Sequence, residues 1–256
     1  MVRRNSSNVW HTALVDKSIL VVFEGIDGAG KTTQARLLAS ALQAVGLEVV
    51  ESKEPTDGVH GKIIRESATS GRLPIDRELE VFIEDRKEHV QSLIQPALDL
   101  GKVVILDRYY YSTIAYQGAR GKDIDEIRGA VQEFAPVPDA VFLLDIEPKL
   151  GLFRISDSRA ETPNQFEKAD TLREVRSVFN SLTDENIVPV DGSLSIDAVH
   201  ELILTAFIEG PLKRKRCAKE YGCDDPLHRT PGLTGQCEWL KLARQLRARV
   251  LEVTPS

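Results

Sequence analysis

The chain has 256 residues, of which 42% are hydrophobic and 28% are charged, and its formal net charge is −6. This composition is typical of a folded globular protein and excludes collagen-like, disordered and coiled-coil proteins. No apolar run approaches the roughly 18 residues needed to span a bilayer, and residues 1–17 lack the apolar stretch of a signal peptide. We therefore expect a cytoplasmic protein with no membrane partner.

The charge is unevenly distributed along the chain. Residues 211–256 carry ten Lys and Arg against five Asp and Glu, so this segment is +5 and the remainder is −11. A shift of this kind at Gly210-Pro211 predicts a boundary. We expect a flexible lead over 1–17, one main domain over 18–210 and a basic extension over 211–256.

Short β-branched runs alternate with segments of helical periodicity through the main domain. Strands are predicted at 18–23, 48–51, 102–106, 140–144 and 187–190. Helices are predicted at 32–45, 74–100, 124–134, 170–182 and 196–208. Apolar strands that are separated by helices favour an α/β fold in three layers, with a parallel, mostly five-stranded sheet flanked by helices. Ligands are expected at the carboxyl ends of such strands.

A glycine-rich loop follows the first predicted strand and precedes a helix. Residues 25–32, Gly-Ile-Asp-Gly-Ala-Gly-Lys-Thr, fit the pattern G-x-x-x-x-G-K-[ST], whose backbone N–H groups surround phosphates. In this pattern Lys31 holds the β- and γ-phosphates and Thr32 faces Mg²⁺. The residues expected to bind ATP are Gly25, Ile26, Asp27, Gly28, Ala29, Gly30, Lys31, Thr32 and Thr33.

Two further motifs carry polar side chains that suit an acceptor. Phe82 and Arg86 lie four residues apart on a predicted helix and therefore share a face, although a core Phe beside a surface Arg is the plainer interpretation. Asp107 and Arg108 end the third strand, where Asp107 can orient Mg²⁺ or its water and Arg108 can hold a phosphate. A buried ion pair at the strand end is the alternative.

Taken together, these motifs strongly resemble thymidylate kinases, which are P-loop nucleoside monophosphate kinases. The resemblance covers nearly all of 18–208 and rests on residues 23–34, Glu54-Pro55, Phe82-x-x-x-Arg86 and residues 107–118. It implies an ATP:dTMP phosphotransferase that makes dTDP for dTTP biosynthesis, uses Mg²⁺ and forms a homodimer. The catalytic residues would be Lys31, Arg108, Asp107 and an arginine of a mobile lid.

The same resemblance implies a role for each acceptor-site residue. Asp27 would bond the 3′-hydroxyl, Phe82 would stack on thymine, and Arg86 would read its exocyclic oxygen. Thr113 and Gln117 would contact the pyrimidine, and Tyr116 would pack where a ribose 2′-hydroxyl would lie. The full set expected to bind the acceptor is Asp27, Glu54, Pro55, Phe82, Arg86, Arg108, Thr113, Tyr116 and Gln117. Lys53 stands where relatives usually have Arg, so bidentate phosphate geometry is lost there.

The predicted lid spans about residues 154–167. Relatives supply the catalytic arginine from the phosphate loop or from the lid, and the loop here offers only Gly28 and Ala29. We favour Arg159 as catalytic and Arg154 as a support at the helix end, while two solvated surface arginines remain the alternative. Gln165 stands where many relatives carry a further arginine.

The basic extension holds four potential zinc ligands, Cys217, Cys223, His228 and Cys237, although their spacing is not a standard one. The alternative is unpaired cysteines in a loose segment. Apolar residues after Cys237 follow helical spacing, which predicts an amphipathic helix that packs on the domain or on a partner. The cluster at 213–216 is interpreted as a solvated linker, so nucleic acid is not an expected partner.

Two other functions stay open. A deoxynucleoside kinase would share the phosphate loop and the Asp-Arg pair, but Asp27 and the run Tyr116-Gln117-Gly118 argue against it. A catalytically inactive nucleotide-binding regulator is supported only by Gln165.

Overall fold

A parallel sheet of five strands forms the centre of the computed structural model, which describes residues 17–158, 165–216 and 238–253. The strands lie in the order β2-β3-β1-β4-β5. Their bounds are β1 (Ile19–Glu24), β2 (Val49–Lys53), β3 (Val103–Asp107), β4 (Ala140–Asp145) and β5 (Ile187–Asp191). Every residue of β1 is buried, because helices cover both faces of the sheet. The predicted α/β architecture is confirmed.

Helices connect the strands and flank the sheet. Those in the described residues are α1 (Lys31–Ala44), α2 (Val59–Ser70), α3 (Ile75–His89), α4 (Gln95–Asp99), α5 (Tyr110–Gly118), α6 (Ile124–Gln132), α7 (Pro148–Ser158), α8 (Gln165–Ser181), α9 (Ile196–Phe207), α10 (Lys213–Arg216) and α11 (Glu238–Val253). Helix α1 packs with α9 and α11, whereas α5 contacts α3, α6 and α8. Within the described ranges, none of the helices is both long enough and apolar enough to cross a membrane.

The predicted helix over 74–100 contains a change of helical type. A π-helical turn, Val90–Ile94, joins α3 to α4. Pro96 lies in the first turn of α4 and lacks the N–H that an uninterrupted α-helix would bond to the Ser92 carbonyl. A proline at this place explains why the α-helical bonding pattern is broken there.

Helix α11 is the amphipathic helix predicted at the end of the chain, and it packs on the main domain. Its apolar face buries Trp239, Leu242, Ala243 and Leu246, which belong to the same core as the sheet. The Trp239 indole N–H donates to the Ile208 carbonyl at 2.8 Å. The core of the main domain therefore includes residues that lie beyond position 210.

Candidate active site

The phosphate loop lies between β1 and α1, at the carboxyl edge of the sheet. Gly28 and Gly30 adopt φ values of 79° and 99°, which glycine reaches without strain. The Lys31 ammonium is buried and donates to the Ile26 carbonyl at 2.8 Å. Burial, followed by the charge of Arg108, lowers the pKa of Lys31 to about 8. A phosphate placed in the loop would therefore meet a lysine that has few competing contacts with water.

The phosphate loop also packs backbone against backbone on the first turn of α7. A Cβ atom on Gly28 would lie 2.3 Å from the Gly151 carbonyl oxygen. A Cβ atom on Gly151 would lie 2.4 Å from the carbonyl oxygen of Asp27. Neither position has room for a side chain, so α7 approaches the loop more closely than two side-chain-bearing segments can.

Thr32 and Asp107 meet at the end of β3, where the Thr32 hydroxyl donates to the Asp107 carboxylate. A hydroxyl oxygen and a carboxylate oxygen are suitable ligands for Mg²⁺, which keeps several waters and takes few protein ligands. In the described part of the chain, no group of three or more His, Cys, Asp or Glu side chains is arranged to hold a metal. The four candidate zinc ligands in 217–237 lie outside the described residues.

Arg108 connects the phosphate loop to α5. Its guanidinium donates to the Asp27 carboxylate at 2.5 Å, to the Ser112 hydroxyl at 2.9 Å and to the Gly25 carbonyl at 3.2 Å. The guanidinium carbon lies 5.4 Å from the centre of the Tyr116 ring. Burial would raise the pKa of Asp27, but Arg108 and Lys31 hold it below its usual value. Arg108 thus forms an ion pair with Asp27 of the phosphate loop.

Glu24 was not singled out from the sequence, yet it holds this region together. Its carboxylate is fully buried and accepts from the Tyr109 and Ser112 amides at 2.8 and 3.1 Å and from the Ser112 hydroxyl at 2.5 Å. Ser112 in turn accepts from Arg108. Burial raises the pKa of Glu24 to about 7. The signal in the sequence was an acid at the end of a wholly apolar strand, which requires buried partners.

A cavity of about 160 Å³ collects eight of the nine residues expected to bind the acceptor. It is lined by Asp27, Glu54, Pro55, Phe82, Arg86, Arg108, Tyr109, Ser112, Thr113 and Tyr116. Gln117 is the exception: it is fully buried and donates to the Glu78 carboxylate at 2.8 Å. Lys53 lines neither this cavity nor the larger cavity beside the phosphate loop. Its ammonium lies 3.5 Å from a carboxylate oxygen of Asp57.

Arg86 is the most deeply buried of the four charged residues that line this cavity. Only 1% of it is exposed, and its Nε donates to Glu54 at 2.9 Å while Nη2 donates to Thr113 at 2.9 Å. Its Nη1 is buried without a hydrogen-bond partner. Phe82 is only partly buried, so the interpretation as a core Phe beside a surface Arg is wrong.

A buried carboxylate holds the loop that carries Glu54 and Pro55. Asp85, which is 1% exposed, accepts from the Thr56 amide at 2.8 Å and from the Thr56 hydroxyl at 2.6 Å. Both bonds tie the loop after β2 to α3. Asp85 was missed in the sequence because its partner lies on another element.

A second cavity, of about 1340 Å³, extends from the phosphate loop past Arg154 to the loop before α9. Arg154 donates to the Gly192 carbonyl at 2.9 Å. Both cavities are lined by Asp27, Arg108 and Tyr116, which therefore form the boundary between them. Arg159 lies outside the described residues. The site can thus hold a polyphosphate in one compartment and a smaller ligand in the other, with the Arg108 cation at their boundary.

Known proteins of one family are similar to this chain. Residues 23–203 match the family model described as thymidylate kinase. The chain is 48% identical over 195 residues to the thymidylate kinase of Xanthomonas oryzae pv. oryzae strain PXO99A, covering 75% of this chain and 85% of that one. It is 47% identical over 186 residues to the thymidylate kinase of Desulfotalea psychrophila, covering 72% and 92%. A thymidylate kinase of Xanthomonas campestris pv. campestris strain B100 is 44% identical over 200 residues, covering 77% and 87%.

Proposed function

Because this chain belongs to the thymidylate kinase family, we propose that it transfers the γ-phosphoryl group of ATP to dTMP, giving ADP and dTDP for dTTP synthesis. The observation that carries the proposal is the pair of cavities that meet at Asp27, Arg108 and Tyr116. One cavity opens on the phosphate loop and the other on the buried Arg86. Phosphoryl transfer requires two substrates to meet end to end, and this arrangement provides for it.

On the donor side, the backbone N–H groups of residues 25–33 would surround the phosphates of ATP at the N-terminus of α1. Lys31 would exchange its bond to the Ile26 carbonyl for the β- and γ-phosphates. The exposed apolar side chains of Leu194 and Ile196 line the large cavity and would contact the adenine.

On the acceptor side, the guanidinium of Arg86 offers only donors, and its free Nη1 would bond a carbonyl oxygen of the base. Phe82 would stack on the ring, and Tyr116 would cover the sugar at the position of a 2′-hydroxyl. A hydroxyl pressed against that ring would lose its water without gaining a partner, which favours a deoxynucleotide. Arg108 would hold the acceptor phosphate, and Asp27 would accept from the 3′-hydroxyl.

Transfer itself depends on positive charge around the moving phosphoryl group. Thr32 and Asp107 would hold Mg²⁺, which when bound neutralises charge on the phosphate oxygens. Lys31 and Arg108 would provide the fixed cations on the two sides, and Arg159 is proposed to complete them from the lid. Arg154, held at Gly192, would line the donor cavity.

Coupled measurement of ADP release across nucleoside monophosphates tests this function. We expect dTMP to be the preferred acceptor, with dCMP, dUMP and CMP used poorly. Turnover without a preference for dTMP would contradict the substrate. Thymidine as a better acceptor would instead support a deoxynucleoside kinase, and ATP binding without transfer would support an inactive regulator. The homodimer implied by the resemblance stays a prediction, which sedimentation of the purified protein would test.

A further inference from the structure

We propose that His89 is a positioning residue for base recognition, which acts through Glu54 to hold Arg86 with one donor directed to the base. The proposal rests on the proposed function, because it assumes that the smaller cavity receives a pyrimidine monophosphate. His89 does not line that cavity. Its effect must therefore pass through another side chain.

Glu54 is the side chain that joins the two residues. One of its carboxylate oxygens, Oε2, lies 2.9 Å from Nε and 2.7 Å from Nη2 of Arg86. The other oxygen, Oε1, lies 3.0 Å from Nδ1 of His89. Since both oxygens have partners, the carboxylate cannot turn without breaking a bond to one of them.

His89 is itself held from both sides. It is 4% exposed and lies three residues after Arg86 on α3. Its Nε2 lies 2.8 Å from the Ser52 hydroxyl of β2. The chain of contacts therefore runs from β2 through His89 and Glu54 to Arg86, and it fixes the carboxylate from the side away from the cavity.

The position of the Arg86 guanidinium determines which base it accepts. Nε and Nη2 are used by Glu54 and Thr113, and the Tyr109 ring lies 5.4 Å from the guanidinium carbon. Nη1 alone stays without a partner. A fixed donor favours a base with a carbonyl at that place and disfavours one with an amino group, which distinguishes dTMP from dCMP. If Glu54 were free to turn, this discrimination would decrease.

Two amide substitutions separate the two contacts of His89. The amide nitrogen of asparagine takes the place of Nδ1, so His89→Asn retains the bond to Glu54. The amide of glutamine takes the place of Nε2, so His89→Gln retains only the contact with Ser52. We expect His89→Gln to raise the KM for dTMP and lower the preference for dTMP over dCMP, each by about tenfold. In His89→Asn the KM for dTMP and the preference for dTMP over dCMP should stay within about twofold of wild type. The kcat and the KM for ATP should change little in either variant.

His60→Gln is the matched control, because His60 lies on the adjacent helix α2 beside Glu84 and Glu88 and outside both cavities. His89→Leu, which also removes the Glu54 bond, replaces His89→Gln if the latter fails to fold. Equal behaviour of His89→Asn and the variant without the bond would overturn the proposal, as would a loss confined to kcat. Calorimetric titration with dTMP and dCMP keeps the two proposals distinguishable. If wild type binds dTMP without transferring phosphate, the proposed function fails while the binding ratios still decide the role of His89.

Discussion

At the scale of single residues, Arg108 combines an unusual backbone conformation with side-chain contacts to both the phosphate loop and α5. Its φ of 73° is uncommon for a residue with a side chain and costs free energy. Such a conformation persists only where surrounding contacts hold it. The Arg108 amide donates to the Phe23 carbonyl at 3.0 Å, and the next amide, that of Tyr109, donates to Glu24. These bonds place the guanidinium at the boundary of the two cavities.

Replacing Glu24 by glutamine tests whether the pKa of this buried carboxyl group is raised. Because its pKa is about 7 in the folded protein against 4.5 for the free group, the folded state binds this proton more tightly. The resulting stability is complete below pH 4.5 and is lost as pH rises through 7. Relative to Glu24→Gln, which cannot titrate, wild type should lose about 2 kcal/mol of unfolding free energy between about pH 5 and pH 8. Urea unfolding over this range measures it.

The exposed Glu133, which follows α6 and lines neither cavity, supplies the control. Glu133→Gln, measured over the same pH range, shows what the loss of an exposed carboxyl group does to the unfolding free energy. Parallel curves for wild type and Glu24→Gln would contradict a raised pKa at Glu24.

At the scale of elements, periodicity located most of the helices; α2, α7, α10 and α5 were not predicted, and α5 shows one reason. Six of its nine residues are buried, among them Tyr110, Tyr111 and Ile114, so no polar face marks the helix in the sequence. Helix α6 shows the opposite case. It has an apolar stripe, and Asp123 precedes it as a capping residue. Helical periodicity is therefore hard to recognise in a helix that has no face in water.

The cap of α6 gives a prediction at this scale. The Asp123 carboxylate accepts from the amides of Asp125 and Glu126 at 2.8 and 3.1 Å. Asp123→Ala should lower the unfolding free energy by about 1 kcal/mol, while Asp123→Asn, which can still accept, should lose much less. Thermal unfolding measures both. The KM values should not change, because α6 lines neither cavity; a kinetic effect would show that the helix acts on the site.

At the scale of the whole molecule, one core joins the sheet to the last described helix. Leu246 of α11 is fully buried in the same cluster as β1 and α1. The Lys213 ammonium lies over the indole of Trp239, 5.3 Å from the centre of the ring. Helix α11 thus covers apolar surface of α1, the helix that begins with Lys31.

Leu246→Ala measures how much the packing of α11 on the domain contributes to the free energy of unfolding. Removing a fully buried leucine costs about 2–5 kcal/mol, which lowers the Tm of a chain of this size by about 5–15 °C. Arg244→Ala, an exposed position on the same helix, should shift the Tm by no more than about 2 °C. Differential scanning calorimetry compares the two, and equal Tm values would mean that α11 separates from the domain before it unfolds.

Local patterns in the sequence allowed the sheet and the phosphate loop to be predicted. The family resemblance named eight residues that the structure brings to one cavity, and their contact with an acceptor stays a prediction. Glu24, Asp85 and His89 escaped prediction since their partners come from distant parts of the chain: Ser112, Thr56 and Ser52. Gln117 was placed in the acceptor site by its motif, but the structure places it against Glu78. Local motifs thus indicate which residues can touch a ligand, whereas the residues that hold them require the fold.

The contact between Gly28 and Gly151 has a consequence for how this chain can evolve. When two side chains pack together, a methylene lost from one can be restored on the other. Both residues can then change in sequence while the contact between them is retained. Here a backbone carbonyl lies where either Cβ would be, and no neighbouring substitution can make room. Gly28 and Gly151 must therefore be inherited together as a pair. The residues of α7 beyond its first turn do not share this constraint.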